Sequence, residues 1–115
     1  MTCLKTLLSA LFLSLASIVH AAPIEVDVEL VLAVDVSRSM SPRELEIQRR
    51  GYAEALVSDD VINAIKGGLL GQIALRYVEW AGDGSQRVII DWTLIANRQQ
   101  ARGVSERLVA NFDSS

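Results

Sequence analysis

The stretch ELVLAVDVSRSMSPRE, residues 29–44, constrains the fold of this chain more than any other feature. Five consecutive apolar residues, LVLAV, precede Asp35. Such a run is typical of a strand buried on both faces, as a central parallel strand is. The sequence SPRE then predicts a helix start, with Ser41 as N-cap, Pro42 at the first helical position and Glu44 at the third. A buried strand that feeds a helix through a short turn opens a parallel crossover, so we expect an open, Rossmann-like α/β sheet.

The first helix is predicted over residues 42–57, with a polar side that includes Arg49 and Arg50, which we expect to be solvated. The sequence SDDVINAIKGG predicts a short second helical segment, capped by Ser58 or Asp59 and stopped by the glycine pair at residues 67–68. This helical region connects the first strand to the next one.

Two further strands are predicted over residues 72–80 and 86–95, and the turn residues GDGS between them favour an antiparallel edge hairpin. Within this hairpin, we expect Glu79 to be an edge residue beside a packing Trp80, and the alternative is a carboxylate in an aromatic pocket. Apolar residues Ala101, Val104 and Leu108, followed by Phe112, predict an amphipathic helix over residues 98–111. The expected order is therefore strand, helix, strand, strand, helix.

The first residues have the features of a secretory signal peptide. Lys5 is followed by an apolar segment over residues 7–19 and by the sequence VHAAP, which favours cleavage after Ala21. The alternative is an uncleaved membrane anchor, but the apolar segment is shorter than the roughly 20 residues that span a bilayer. We expect residues 1–21 to be the signal peptide and residues 22–115 to form one exported domain, periplasmic or extracellular.

Removal of this signal peptide excludes several kinds of chemistry. It takes away Cys3 and His20, the only cysteine and the only histidine, so the mature chain has no Ser-His-Asp triad, cysteine nucleophile or His- or Cys-ligated zinc site. Lys5 leaves as well, so ten basic residues face 14 acidic ones and the formal charge is −4. This acidic balance argues against nucleic acid as a partner. The site chemistry that remains is that of carboxylates, hydroxyls and the hard cations that they bind.

Asp35, Ser37 and Ser39 are the candidate metal ligands. They alternate at the end of the predicted strand, where open α/β sheets bind their ligands. Short oxygen-bearing side chains at alternate positions of a turn can converge on a cation such as Mg²⁺. The alternative is an Asx or Ser turn whose hydroxyls satisfy nearby backbone groups. A dinucleotide site is excluded because the turn DVSRSM lacks glycine.

The sequence VDVSRSM after an apolar strand resembles the D-x-S-x-S metal-ion-dependent adhesion site of von Willebrand factor type A domains. VELVLAVDVS, GYAEAL, YVEWAG and QRVIIDWTLI further resemble an uncharacterised bacterial family of exported proteins with this domain. The resemblance implies that Ser37 and Ser39 ligate Mg²⁺ or Mn²⁺ directly, with Asp35 acting directly or through water. Arg38 stands where such domains often have glycine. The resemblance also implies that the chain covers only the N-terminal half of such a domain, without the later threonine and acid ligands.

These observations predict a non-enzymatic binding module that engages a glutamate or aspartate of a protein partner through a divalent cation. The alternative is a structural remnant with a vestigial metal site, which self-associates through an exposed sheet edge. A catalytic role remains only as a metal-assisted hydrolase that uses Asp35.

Overall fold

The computed structural model describes residues 20–37, 39–82 and 84–110 of the chain. Its elements are, in chain order, β1 (Val28–Asp35), α1 (Pro42–Leu56), α2 (Asp59–Lys66), β2 (Ile73–Ala81), β3 (Ser85–Ile95) and α3 (Arg98–Ala110). The predicted α/β class and the predicted order of elements are confirmed. The predicted signal peptide falls almost wholly on residues 1–19, and Phe112 on residues 111–115, outside the described residues.

The three strands form one sheet in the order β1-β2-β3. β1 and β2 are parallel, with Leu30 beside Leu75, and β2 and β3 are antiparallel, as predicted for the hairpin. Two register shifts interrupt the β2–β3 pairing. Because each extra residue in β3 reverses the alternation of faces locally, Ile90 and Ile95 are both buried although they lie an odd number of positions apart. The strand order makes β2 the central strand of the sheet rather than an edge strand.

The core lies between one face of the sheet and the helices, where α3 packs against both α1 and β3. The predicted apolar face of α3 is confirmed, since Ala101, Val104 and Leu108 are all buried. On the sheet, alternate residues of β2 from Ile73 to Glu79 are buried, while the residues between them are half-buried. The helices therefore cover the face of the sheet that carries the buried β2 residues.

The prediction that β1 is buried on both faces is wrong. Val34 is the only buried residue of this strand, while Val28 and Val31 are 50% and 49% exposed. The physical reason is that, within the described part of the chain, the helices cover one face of the sheet and β1 lies at its edge, paired only with β2. The apolar run therefore forms a strand, as its composition indicates, but this strand is an edge of the sheet.

Helix α1 begins with the predicted capping box. The Ser41 hydroxyl accepts a hydrogen bond from the Glu44 amide at 3.3 Å, and the Glu44 carboxylate accepts one from the Ser41 amide at 2.7 Å. The Ser41 amide, and next the Ser41 hydroxyl at 2.8 Å, donate to the Glu44 carboxylate and favour its charged form, so the pKa of Glu44 lies below its ordinary value. In α2 the N-cap is Ser58 rather than Asp59, because the Ser58 hydroxyl accepts from the Val61 amide.

Asp27 connects the chain before β1 to the loop before β2. Its carboxylate accepts hydrogen bonds from the amides of Leu70 at 2.8 Å and Gln72 at 3.2 Å. The Leu70 bond is the main cause that holds the pKa of Asp27 below its ordinary value. Gly68 lies so close that an added Cβ would be 2.3 Å from an Asp27 oxygen. This contact fixes how the parallel pair β1–β2 begins.

No helix in the described part of the chain is both long enough and apolar enough to span a bilayer.

Candidate functional site

The candidate metal ligands lie where β1 leaves the sheet. The Val36 amide donates to the Trp80 carbonyl at 2.9 Å and so makes the last contact between β1 and β2. The chain then turns, with the Met40 amide donating to the Ser37 carbonyl at 3.0 Å, and α1 begins at Pro42. Because β1 and β2 are parallel, their carboxyl ends meet at this same end of the sheet. This is the end at which open α/β sheets bind ligands.

Ser37 and Ser39 are brought together by this turn. Their hydroxyl oxygens are 3.1 Å apart and share a hydrogen bond in which either can donate. Neighbouring ligands of an octahedral Mg²⁺ ion with metal–oxygen distances of about 2.0–2.1 Å are themselves about 3 Å apart. The two hydroxyls are therefore spaced as two adjacent ligands of one cation would be. The same spacing also fits the alternative stated above, a Ser turn without a metal, in which the hydroxyls form hydrogen bonds within the turn.

Asp35 shares this end of the sheet but is not joined to the serines. Its side chain is exposed, and within the described residues it makes no hydrogen bond or ion pair. Arg38, between the two serines, lies outside the described residues. In the described part of the chain, no three His, Cys, Asp or Glu side chains gather into a metal-binding group. A cation here would therefore depend on the serine hydroxyls, with Asp35 as the nearest acid along the chain.

A cavity of about 330 Å³ lies beside this turn, and we refer to it as the strand-end cavity. Its described lining residues are Val36, Leu45, Glu79, Ala81, Ser85, Gln86 and Arg87. They come from the end of β1, the start of α1, the end of β2 and the start of β3. The hairpin turn and the turn that carries Ser37 and Ser39, the serine turn, therefore flank one depression. No local sequence pattern reveals this cavity, because its walls come from segments up to 51 positions apart along the chain.

Glu79, in the wall of the cavity, forms a buried ion pair with Arg49. The Arg49 guanidinium donates to the two Glu79 carboxylate oxygens, from Nε at 2.6 Å and from Nη2 at 2.9 Å. Arg49 is 4% exposed and Glu79 is 8% exposed, so the predictions of a solvated Arg49 and an edge-strand Glu79 are both wrong. The physical reason is the pairing itself, since each buried charge is neutralised by the other. Arg50, as predicted, is exposed, and it pairs with Glu46 on the same helix.

Tyr77 lies two positions before Glu79 on the same face of β2. Its hydroxyl is buried and has no hydrogen-bond partner in the described structure, and its ring meets Tyr52 edge-to-face with the centroids 5.4 Å apart. Burial, with the Glu79 charge as the next cause, raises the pKa of Tyr77 above its ordinary value. Tyr77 therefore stays a neutral core residue behind the ion pair.

Arg87 stands at the outer rim of the cavity. It is the cross-strand neighbour of Glu79, but it is exposed, and within the described residues it makes no hydrogen bond or ion pair. Because Glu79 is already neutralised by Arg49, the positive charge of Arg87 is not cancelled at the rim. The sequence offered no signal that singled out Arg87.

Comparison with known proteins gives a family but no activity. Residues 25–115 match the profile of a family described as a protein of unknown function (DUF1194). The chain belongs to this family. No curated protein matches the chain, and neither does any solved structure. Since the description of the DUF1194 family assigns no ligand, partner or reaction, the function has to be argued from the geometry of the site.

Proposed function

We propose that this DUF1194 protein is an exported binding module that engages an acidic group of a protein partner through a divalent cation held at Ser37, Ser39 and Asp35. One observation carries the proposal, namely the 3.1 Å separation of the two serine hydroxyls at the carboxyl end of β1. Two hydroxyls at the spacing of adjacent ligands, next to an exposed carboxylate, offer three oxygen ligands of the type that Mg²⁺ and Mn²⁺ prefer.

The resemblance to the metal-ion-dependent adhesion site of von Willebrand factor type A domains supports the same assignment. By that resemblance Ser37 and Ser39 ligate the cation directly, and Asp35 acts directly or through water. The capped start of α1 directly after the turn is the strand-to-helix junction in which this motif occurs.

The charge of such a site favours an acidic partner. Two neutral hydroxyls and one carboxylate leave a divalent cation with an uncompensated positive charge, which a glutamate or aspartate of the partner would neutralise. We propose binding rather than catalysis because residues 22–115 contain no histidine or cysteine that could act as a general base or nucleophile beside Asp35.

The test is a titration of the chain purified after export, residues 22–115, with Mg²⁺ and with Mn²⁺. Calorimetry measures the binding, and thermal unfolding is followed with and without a chelator. We expect saturable binding that raises the unfolding temperature. The double substitution Ser37→Ala, Ser39→Ala should abolish this binding, whereas Ser105→Ala on α3 should not. Equal binding by both variants, or none by the folded wild-type chain, would refute the proposal.

A second candidate function is self-association through β1. β1 has one unpaired edge in the described structure, and two copies of this edge can pair antiparallel about a two-fold axis. The occupant would then be a second copy of the chain, and the serine turn would be vestigial. Analytical ultracentrifugation separates the two candidates, since a dimer that persists in chelator but is lost in Val31→Lys favours self-association. A monomer at all concentrations excludes it.

A further inference from the structure

The strand-end cavity and the serine turn share a wall. Val36 lines the cavity, and the next residue along the chain is Ser37. A ligand held at the serines would therefore be bound next to a residue of the cavity wall. With a volume of about 330 Å³, the cavity lies at the lower end of the range of about 300–1,000 Å³ for ligand pockets, which suits one side chain rather than a cofactor.

The cavity has an apolar side and a charged rim. Val36, Leu45 and Ala81 provide aliphatic surface, all of it only half-buried and so still accessible to a ligand. Arg87, also in the lining, is exposed and carries a positive charge that no described residue neutralises. Glu79, the only described acid of the lining, is held by Arg49. The cavity therefore favours an apolar group accompanied by an anion.

We propose that the strand-end cavity is a second subsite for the partner, which accepts an aliphatic side chain next to the metal-bound carboxylate while Arg87 pairs with a second acidic residue. The partner is therefore an acidic peptide segment that contains an aliphatic residue close to its acids. This inference rests on the proposed function, because the metal-bound carboxylate decides which part of the partner lies over the cavity. Charge complementarity with Arg87 is the reason for choosing an acidic peptide over an uncharged one.

The probes are blocked pentapeptides that carry one aspartate, one glutamate and one leucine in every order between two glycines. Binding to the isotope-labelled chain, residues 22–115, is measured by NMR titration in Mg²⁺ and in chelator. In matched peptides, leucine is replaced by glycine and each acid in turn by its amide. The chain variants are Ala81→Phe, which fills the cavity, and Arg87→Glu, with Arg102→Glu on α3 as the charge-matched control.

We expect the best peptide to lose about tenfold in affinity when leucine becomes glycine, because an aliphatic side chain leaves its pocket. Loss of the second acid should weaken binding about threefold, as expected for a partly exposed ion pair. Ala81→Phe should remove the preference for leucine but keep the Mg²⁺-dependent binding of the glycine peptide. Arg87→Glu should remove the preference for the second acid, and Arg102→Glu should change nothing.

The outcomes separate this inference from the proposed function. Chelator-sensitive binding that is the same with leucine and glycine would overturn the subsite and keep the metal-dependent module. Leucine-dependent binding that persists in chelator and is lost in Ala81→Phe would keep the cavity as a site and overturn the proposed function. Failure of every peptide to bind the folded chain would overturn both.

Discussion

Replacement of Glu79 by alanine tests whether the buried ion pair behind the cavity is as important for stability as its geometry indicates. Both partners are almost inaccessible to water, with 4% of Arg49 and 8% of Glu79 exposed, and two charge-assisted hydrogen bonds join them. Without Glu79 the buried guanidinium would lose the carboxylate that accepts these two hydrogen bonds, which costs about 3–5 kcal/mol. For a domain of this size that loss corresponds to a fall in Tm of roughly 12–40 °C.

The assay is urea unfolding of the wild type, of Glu79→Ala, and of a double variant in which both residues become methionine. We expect the single variant to lose about 3–5 kcal/mol and the double variant to stay close to the wild type, because well-packed apolar side chains can replace a buried ion pair. A loss below about 1 kcal/mol in Glu79→Ala, or a double variant as unstable as the single one, would refute the argument that the charges stabilise each other.

Three further predictions concern the fold. Leu108→Ala should cost about 2–5 kcal/mol in chemical unfolding, since this side chain is fully buried, and a smaller loss would mean that α3 does not dock as described. Gly68→Ala should lower Tm because its Cβ, 2.3 Å from an Asp27 oxygen, would displace the carboxylate from its hydrogen bonds to the amides of Leu70 and Gln72. Gly51→Ala in α1, with no neighbour within 4 Å, should gain about 1 kcal/mol, and equal effects would contradict the Asp27 contact. Finally, Asp27 and Glu44 have lowered pKa values in the folded chain, so their stabilisation is present above the unfolded pKa values and is lost as pH falls below about 4. Asp27→Asn should flatten this acid limb of the stability curve, and an unchanged limb would exclude Asp27 as its source.

Local sequence signals predicted the elements of this fold well. The capping box at Ser41 and Glu44 lies within four consecutive residues, and the apolar spacing of α3 lies within one helix. Such patterns act over a few residues, so they can be recognised without knowledge of the tertiary structure. The turn that joins Ser37 to Ser39 belongs to the same class, since two positions separate its hydroxyls.

Contacts between distant parts of the chain could not be predicted in this way. Arg49 and Glu79 are 30 positions apart, and a charged residue on a helix is more often exposed than buried. The prediction that β1 is buried failed for a similar reason. An apolar run shows that a strand can be buried, but it does not show how many strands and helices pack around it. The strand-end cavity depends on four segments at once, and no single stretch of sequence contains its pattern.

The edge position of β1 determines which part of the chain a bound cation would stabilise most. Within the described sheet β1, like β3, has one neighbouring strand, but a larger share of its side chains is exposed than in β2 or β3. We therefore expect β1 to open by local fluctuation more easily than the other two strands. Asp35 and the serine turn are at the end of this most easily opened strand. A cation bound there would protect the amides of β1 from hydrogen exchange more than those of the hairpin. Cation binding would thus stabilise β1 along its length, including residues that do not touch the ligand.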